Sequence, residues 1–298
     1  MTPLRIGMIG MGEMGAALAG AFRTVGHHVH AQLAGRSTES RNRAAEAGVT
    51  EVGSLHDLVT SSDILFSVLP TQHAKPVAQE VAVILAKTGC RPHFVEANAI
   101  APGLVNEIAV EFLRLGVTFL DGGLIGPPPS AEGRPRLYAC GQDLELLHGL
   151  DGSGFTLVEL AGPIGQASAF KTSYAAMTKG VNALLCNVML GAQAHGFLSP
   201  FLDEIANSQT ALADRARANI PRLPCDAARW QDEMLQIARS FADIGLPGAF
   251  HQGAAEVMAL LAASPYGTET RRTRDRSRDL KSTISGVTKA RVSGGKLA

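Results

Sequence analysis

"RIGMIGMGEMGAALAGAF", residues 5–22, decides how the chain folds. A short apolar run leads into Gly10, Gly12 and Gly15, spaced G-x-G-x-x-G, and then into an alanine- and leucine-rich helical stretch. The spacing alone is a weak signal. A strand before it and a helix after it give each glycine a task. Gly10 permits the tight turn, Gly12 lets a pyrophosphate approach the backbone, and Gly15 lets the helix pack closely on the strand. The helix N-terminus then offers N–H groups and positive partial charge to phosphates. Gly10, Met11, Gly12, Glu13, Met14 and Gly15 are therefore candidates to hold a dinucleotide.

Strand-like runs at 5–10, 27–33, 63–69, 92–98 and 117–124 alternate with helical stretches at 14–25, 39–47, 54–60, 74–87 and 103–115. That alternation predicts βαβ units and an α/β fold, a Rossmann-type doubly wound parallel sheet. The character changes across "GPPPSAEGRPRLYACGQ" (126–142). Beyond residue 165 only helical periodicity remains, broken by "LSPF", "IPRLP" and "GLPG". Met177, Val181, Leu184, Leu185 and Val188 follow a 3.6-residue period. The expected division is a dinucleotide-binding domain over 1–164 and an all-α substrate and dimerisation domain over 165–298. The tail after about 285 is expected to be disordered or vector-derived, because the terminal "KLA" resembles an expression-vector tail. The mixed charged run "RRTRDRSRD" (271–279) reads as a solvated helix end or tail.

Composition narrows the function classes. Of 298 residues, 46% are hydrophobic and 18% charged, ample for large cores and unlike a disordered chain. The 27 basic and 27 acidic residues cancel, so no global field argues for nucleic acid or a membrane surface. Cys90, Cys140, Cys186 and Cys225 are scattered without a CxxC pair and read as reduced thiols. The N-terminus enters a strand at once, and no long uncharged apolar run appears. The expected location is the cytoplasm. His28 and His30 share one strand face but have no third ligand nearby, so no metal is expected.

The end of the second strand bears on cofactor choice. "LAGRSTESRNR" carries no acidic residue where a ribose 2′-hydroxyl would be held. Instead Arg36 lies 26 residues after Gly10, followed by Ser37, Thr38 and Arg41. A guanidinium clamps a phosphate dianion well and gains little from a hydroxyl. This favours NADP, with NAD possible if Arg36 stacks on adenine.

"GPIGQASAFKTSY" (162–174) opens the long helix. Lys171, Tyr174, Thr178 and Asn182 form a polar stripe on an otherwise apolar face. Periodicity alone leaves two readings: a polar line facing an interdomain cleft, or a snorkelling surface lysine.

Four stretches, "GMIGMGEMG", "FSVLPTQ" (66–72), "FLDGGLIGPP" (119–128) and "GPIGQASAFK", resemble the β-hydroxyacid dehydrogenase superfamily, which includes hydroxyisobutyrate and 6-phosphogluconate dehydrogenases. The resemblance spans roughly residues 5–200. The short helical C-terminal part is similar to a divergent branch of NAD(P)-dependent oxidoreductases. The family's pattern has a glycine six residues before a catalytic lysine, matching Gly165 and Lys171. The resemblance implies a two-domain enzyme with Lys171 handling the proton of a carbinol while hydride passes to nicotinamide. A buried lysine near a cationic nicotinamide would have its pKa lowered toward working pH. The resemblance further implies cofactor contacts at Leu69, Pro70 and Asn98, and a homodimer through the helical domain.

Two departures point away from the family's small hydroxy acids. Where the family has Ser-Gly-Gly, this chain has Ile125, Gly126 and Pro127, which weakens a carboxylate clamp. Where it has asparagine four residues after the lysine, Ala175 stands, preceded by Tyr174. Tyr174 could supply a phenol to the substrate oxygen or pack as an aromatic. Gly123, Leu124, Ile125, Gly126 and Thr178 are the candidate substrate residues, for a larger or more apolar β-hydroxy compound. His195 and His251 are further candidates, whereas Trp230 and Phe250 read as core. The leading expectation is an NADP-preferring dehydrogenase or reductase. The alternatives are a C–C lyase using the same site for retro-aldol loss of an aldehyde such as formaldehyde, and a non-catalytic nucleotide sensor.

Overall fold

The computed structural model describes residues 2–293. The chain begins with β1 (Arg5–Ile9), α1 (Glu13–Thr24), β2 (His28–Gln32), α2 (Thr38–Glu46), β3 (Thr50–Val52) and α3 (Leu55–Ser61). It continues through β4 (Ile64–Ser67), α4 (Thr71–Thr88), β5 (His93–Glu96), α5 (Pro102–Arg114) and β6 (Phe119–Ile125). Then come β7 (Arg136–Gly141), α6 (Glu145–Leu150) and β8 (Thr156–Glu159). The remaining elements are helices: α7 (Gln166–Ala194), α8 (Leu198–Ser208), α9 (Thr210–Asn219), α10 (Pro224–Ala242), α11 (Ala249–Ala262) and α12 (Leu280–Ser293). The chain forms two compact units, residues 1–172 and 173–298, and the division falls within α7.

The first unit is an eight-stranded sheet in the order β3-β2-β1-β4-β5-β6-β7-β8. The strands from β3 to β6 are mutually parallel. β7 runs antiparallel to β6, and β8 is parallel to β7, so the sheet is mixed at one side rather than wholly parallel. Period-2 alternation feeds two cores, as a buried sheet requires. Ile6, Met8, Ile64, Phe66, Val95 and Leu120 join Leu18 and Phe22 of α1 and Leu147 and Leu150 of α6. Ile9, Leu65, Phe94 and Phe119 join the helices on the other side, and Phe94 sits 4.4 Å from Phe112 of α5. Strand order reverses between β1 and β4. In such sheets ligands bind beyond the carboxyl ends of the strands at the reversal.

Among its described residues the second unit holds helices joined by turns, and no strand. Its core gathers Ala183, Cys186 and Met189 of α7 with Met234, Met258, Leu261 and Ile284 from the later helices. The periodic stripe on α7 divides: Val181 and Leu185 pack inward, whereas Met177, Leu184 and Val188 are exposed. Apolar residues thus cover two sides of this helix. Trp230 packs against the core, but Phe250 is exposed, contrary to the expectation of core packing. The expected disorder after about 285 is corrected by α12, whose Leu280, Ile284 and Val287 are buried and anchor it. The terminal "KLA" lies outside the described residues. Part of the basic run is tied down rather than solvated: Arg278 pairs with Glu269 at 2.6 Å and lies 3.8 Å from the Tyr266 ring. No helix among the described residues is long and apolar enough to cross a membrane.

Candidate active site

At the carboxyl end of β1 the chain turns through Gly10, whose φ is +113°. A Cβ on Gly10 would lie 2.3 Å from the Val68 carbonyl oxygen, and one on Gly15 would lie 2.1 Å from the Gly10 carbonyl oxygen. Both glycines are therefore demanded by the protein's own backbone packing. Gly12 is different. A Cβ there would meet nothing within 4 Å, and the residue is exposed at the N-cap of α1. The protein leaves space precisely where a diphosphate would approach the helix N-terminus, so the turn fits a dinucleotide. Glu13 opens α1 beside this space, Met11 is buried, and Met14 is half-buried.

Arg36 stands in the turn after β2, its N–H donating to the Leu33 carbonyl at 3.0 Å. Its guanidinium is half-buried and has no hydrogen-bond or ion-pair partner among the described residues. Ser37 is occupied otherwise than expected. Its hydroxyl oxygen accepts from the Ser40 N–H at 3.2 Å and caps α2. Arg41 lies 3.5 Å from Glu51 on β3. Of the three, Arg36 alone is uncommitted.

Leu69 and Pro70 follow β4 at the strand-order reversal. Asn98 follows β5 and is 2% exposed. Its side-chain oxygen accepts from the Leu69 N–H, its amide donates to Ser67 Oγ at 2.9 Å, and its own N–H donates to Glu96 Oε1 at 2.9 Å. Asn98 thus spends its polar side-chain atoms tying the β4 and β5 loops together.

Next to these loops lies a buried acidic pair that sequence reasoning passed over. Glu96 ends β5, Asp121 is its register partner on β6, and both are wholly buried. Asp121 Oδ2 accepts from the Gly165 N–H at 2.9 Å and the Ser168 N–H at 3.0 Å. Its Oδ1 accepts from Ser168 Oγ at 2.5 Å. The carboxyl group therefore satisfies the first amides of α7 from across the sheet. Cys140 on β7 points its thiol at the same carboxyl group (3.5 Å) and at the Pro163 carbonyl (3.2 Å). Burial pushes that thiol up to about 11, with Asp121 adding to the rise.

Glu96 is less well satisfied. Only Oε1 accepts a hydrogen bond, and Oε2 is buried with no partner. Burial pushes its carboxyl up to about 8, the charge of Asp121 adds to that, and the Asn98 N–H and Lys171 oppose it. Lys171, half-buried in the second turn of α7, donates from Nζ to the Ala97 carbonyl at 3.2 Å. Gly123 explains how the helix comes so near: a Cβ there would lie 2.8 Å from the Ala167 carbonyl and 3.1 Å from Lys171 Cβ.

The candidate substrate residues fall on different elements. Gly123 and Leu124 lie buried in β6, within the strand expected at 117–124, and Ile125 extends that strand, paired with Arg136. The loop begins at Gly126, exposed with φ +127°. Tyr174 and Thr178 belong to the helical unit. Tyr174 is 42% exposed, and Thr178 Oγ1 donates to the Tyr174 carbonyl at 2.9 Å. Asn182 is buried and accepts from Arg215 Nε at 2.9 Å, while Arg215 also reaches the Thr178 carbonyl. His195 is exposed near Phe197, and His251 is buried against Phe241.

Known proteins resemble this chain in both of its parts. Residues 5–147 match the NAD binding domain of 6-phosphogluconate dehydrogenase, and residues 192–261 match a domain of unknown function, DUF1932. The mitochondrial 3-hydroxyisobutyrate dehydrogenase of Drosophila melanogaster is 26% identical over 129 residues, covering 43% of this chain and 38% of that protein. The conserved protein MTH1747, described as structurally similar to 3-hydroxyacid dehydrogenases, is 26% identical with a TM-score of 0.66. That match covers 87% of this chain and 97% of the other. The 3-hydroxyisobutyrate dehydrogenase of Mycobacterium tuberculosis, solved with L-serine, shares the fold at 18% identity and a TM-score of 0.70. It covers 95% of this chain and 99% of its own.

Proposed function

Because the chain belongs to the β-hydroxyacid dehydrogenase and 6-phosphogluconate dehydrogenase-like superfamily of NAD(P)-binding oxidoreductases, on a divergent branch, we propose that it interconverts a β-hydroxy compound and its carbonyl partner with NADP. The observation that carries this reading is the position of Lys171. Its amine is held on the Ala97 carbonyl at the end of β5, in the unit that also bears the Gly10–Gly15 turn. When bound, the nicotinamide supplies the hydride chemistry. In the oxidation direction, the Lys171 amine takes the hydroxyl proton as hydride leaves the carbinol carbon. In reduction the ammonium returns it. Tyr174 is assigned the substrate oxygen as a hydrogen-bond partner. The proline run Pro127–Pro129 after Gly126, in which Pro127 has no N–H to offer a carboxylate, favours a substrate larger or less polar than a simple hydroxy acid. A panel of hydroxy acids, aldehydes and aryl alcohols, assayed with both cofactors, tests the reading. Nicotinamide absorbance changing in step with product supports it, and aldehyde release without that change overturns it.

The preference for NADP rests on the uncommitted guanidinium of Arg36 and the missing acid after β2. Arg36→Ala should raise KM for NADPH roughly 10-fold or more, with little change for NADH, as expected for a lost charge-assisted phosphate contact. Equal effects on both cofactors would refute the assignment.

We also propose a homodimer through the helical unit, supported by exposed Met177, Leu184 and Val188 along α7. Light scattering should give about twice the chain mass of 31.2 kDa. A single-chain mass overturns the proposal.

A further inference from the structure

Glu96 has no place in the chemistry described so far, yet it is the least satisfied carboxyl group near it. It is wholly buried, one oxygen has no partner, and Asp121 lies beside it in strand register. The next residue along the chain, Ala97, supplies the carbonyl that holds Lys171 Nζ. A carboxyl group in that position is expensive to ionise unless a cation stands near, and Lys171 supplies the charge. The titratable groups around it are Asp121 on β6, Cys140 beside Asp121 on β7, and Lys171 on α7. Ser67 and Asn98, its other neighbours, are neutral.

We infer that Glu96 is a positioning residue for the reaction: together with Lys171 it forms one coupled titrating unit, and it sets when that amine carries its proton. This rests on the reading of Lys171 as the acid/base. Ionised Glu96 favours the ammonium, the form needed to donate a proton in reduction. Protonated Glu96 favours the neutral amine, the form needed to accept one in oxidation. The two groups therefore share protons over a common pH range, and neither titrates alone. The loop-holding hydrogen bond from the Asn98 N–H offers a purely structural role instead, which the test must separate.

The direct measurement is competitive acylation of Lys171 across pH, read by mass spectrometry in wild type, Glu96→Gln and Glu96→Asp. Gln keeps an acceptor for the Asn98 N–H and removes the charge. The Lys171 midpoint should then fall by about one pH unit, the size expected for losing a nearby opposite charge. The acid limb of kcat/KM for oxidation should move down with it. The Asp variant should stay near the wild-type midpoint. A purely structural Glu96 would lower activity and leave both midpoints where they were, which overturns the proposal. Should Glu96→Gln fail to fold, the reciprocal experiment decides. In Lys171→Met, the infrared band of the protonated buried carboxyl group should persist to higher pH than in wild type, and an unmoved band overturns the coupling. Retained turnover in Lys171→Met would instead refute the assignment of Lys171 and leave the acylation result to stand by itself.

Discussion

Lys171→Met should abolish turnover while leaving cofactor affinity within a few-fold of wild type. Removing a general acid/base lowers rate by about 10²–10⁴-fold, or roughly 3–5 kcal/mol of transition-state stabilisation. Methionine keeps the unbranched chain and its packing against Gly123, where the Cβ of Lys171 meets β6. What it loses is the proton carrier and the hydrogen bond to the Ala97 carbonyl. The loss should accordingly appear in kcat, with the NADPH dissociation constant, measured by fluorescence titration, nearly unchanged. Substantial turnover in the variant would refute the assignment. Loss of both cofactor binding and turnover would place Lys171 in the binding machinery. The same variant tests the sensor reading, which requires cofactor binding to survive and predicts no turnover in wild type either.

The fold was legible wherever an element was long or wholly apolar. Residues 5–22 led to the β1-turn-α1 unit because three glycines and a strand-to-helix change of period coincide there. β3 escaped notice because Thr50–Val52 is three residues long and largely exposed, so no hydrophobic alternation marks it. β7 and β8 escaped because the proline-rich stretch at 127–135 broke the βαβ rhythm, and pairing across it reversed the direction of the sheet. Candidate site residues divided along a similar line. Gly10 and Gly15, placed by backbone geometry, could be read from spacing, whereas spacing left Lys171 with two readings and the family resemblance singled it out. Residues whose role depends on a partner far along the chain could not be read from spacing. Asn98 is committed to Leu69 and Ser67, 29 and 31 residues away, and Asp121 to Gly165 and Ser168, 44 and 47 residues away. A signal for the buried acids was nevertheless present. "HFVEAN" and "FLDGGL" each carry one acidic residue inside an otherwise apolar strand, and a charge there needs a reason.

Asp121 provides the second large effect, this time on stability. Asp121→Ala should cost about 3–5 kcal/mol, the usual range for breaking a buried charged hydrogen-bonded group. The variant would strand the Gly165 N–H, the Ser168 N–H and the Ser168 hydroxyl in a site sealed from water. Against a total stability of roughly 5–15 kcal/mol this is a large fraction, and the melting temperature should fall by about 10 °C. Asp121→Asn is the discriminating control. Its amide oxygen can take the position of Oδ2 and accept both N–H groups, while its amide nitrogen donates to Ser168 Oγ, whose hydroxyl can act as an acceptor. Both N–H groups then keep their acceptor and Ser168 keeps a partner through a bond of reversed direction, while the charge facing the start of α7 is lost, worth about 0.3–2 kcal/mol. Thermal unfolding followed by circular dichroism should therefore rank wild type above Asn and Asn well above Ala. If Asn is as damaging as Ala, the negative charge itself holds the helix, and the hydrogen-bond account is wrong. The Asn variant also removes the like charge beside Glu96, so the Glu96 carboxyl should titrate lower than in wild type, by the sign of the Asp121 contribution.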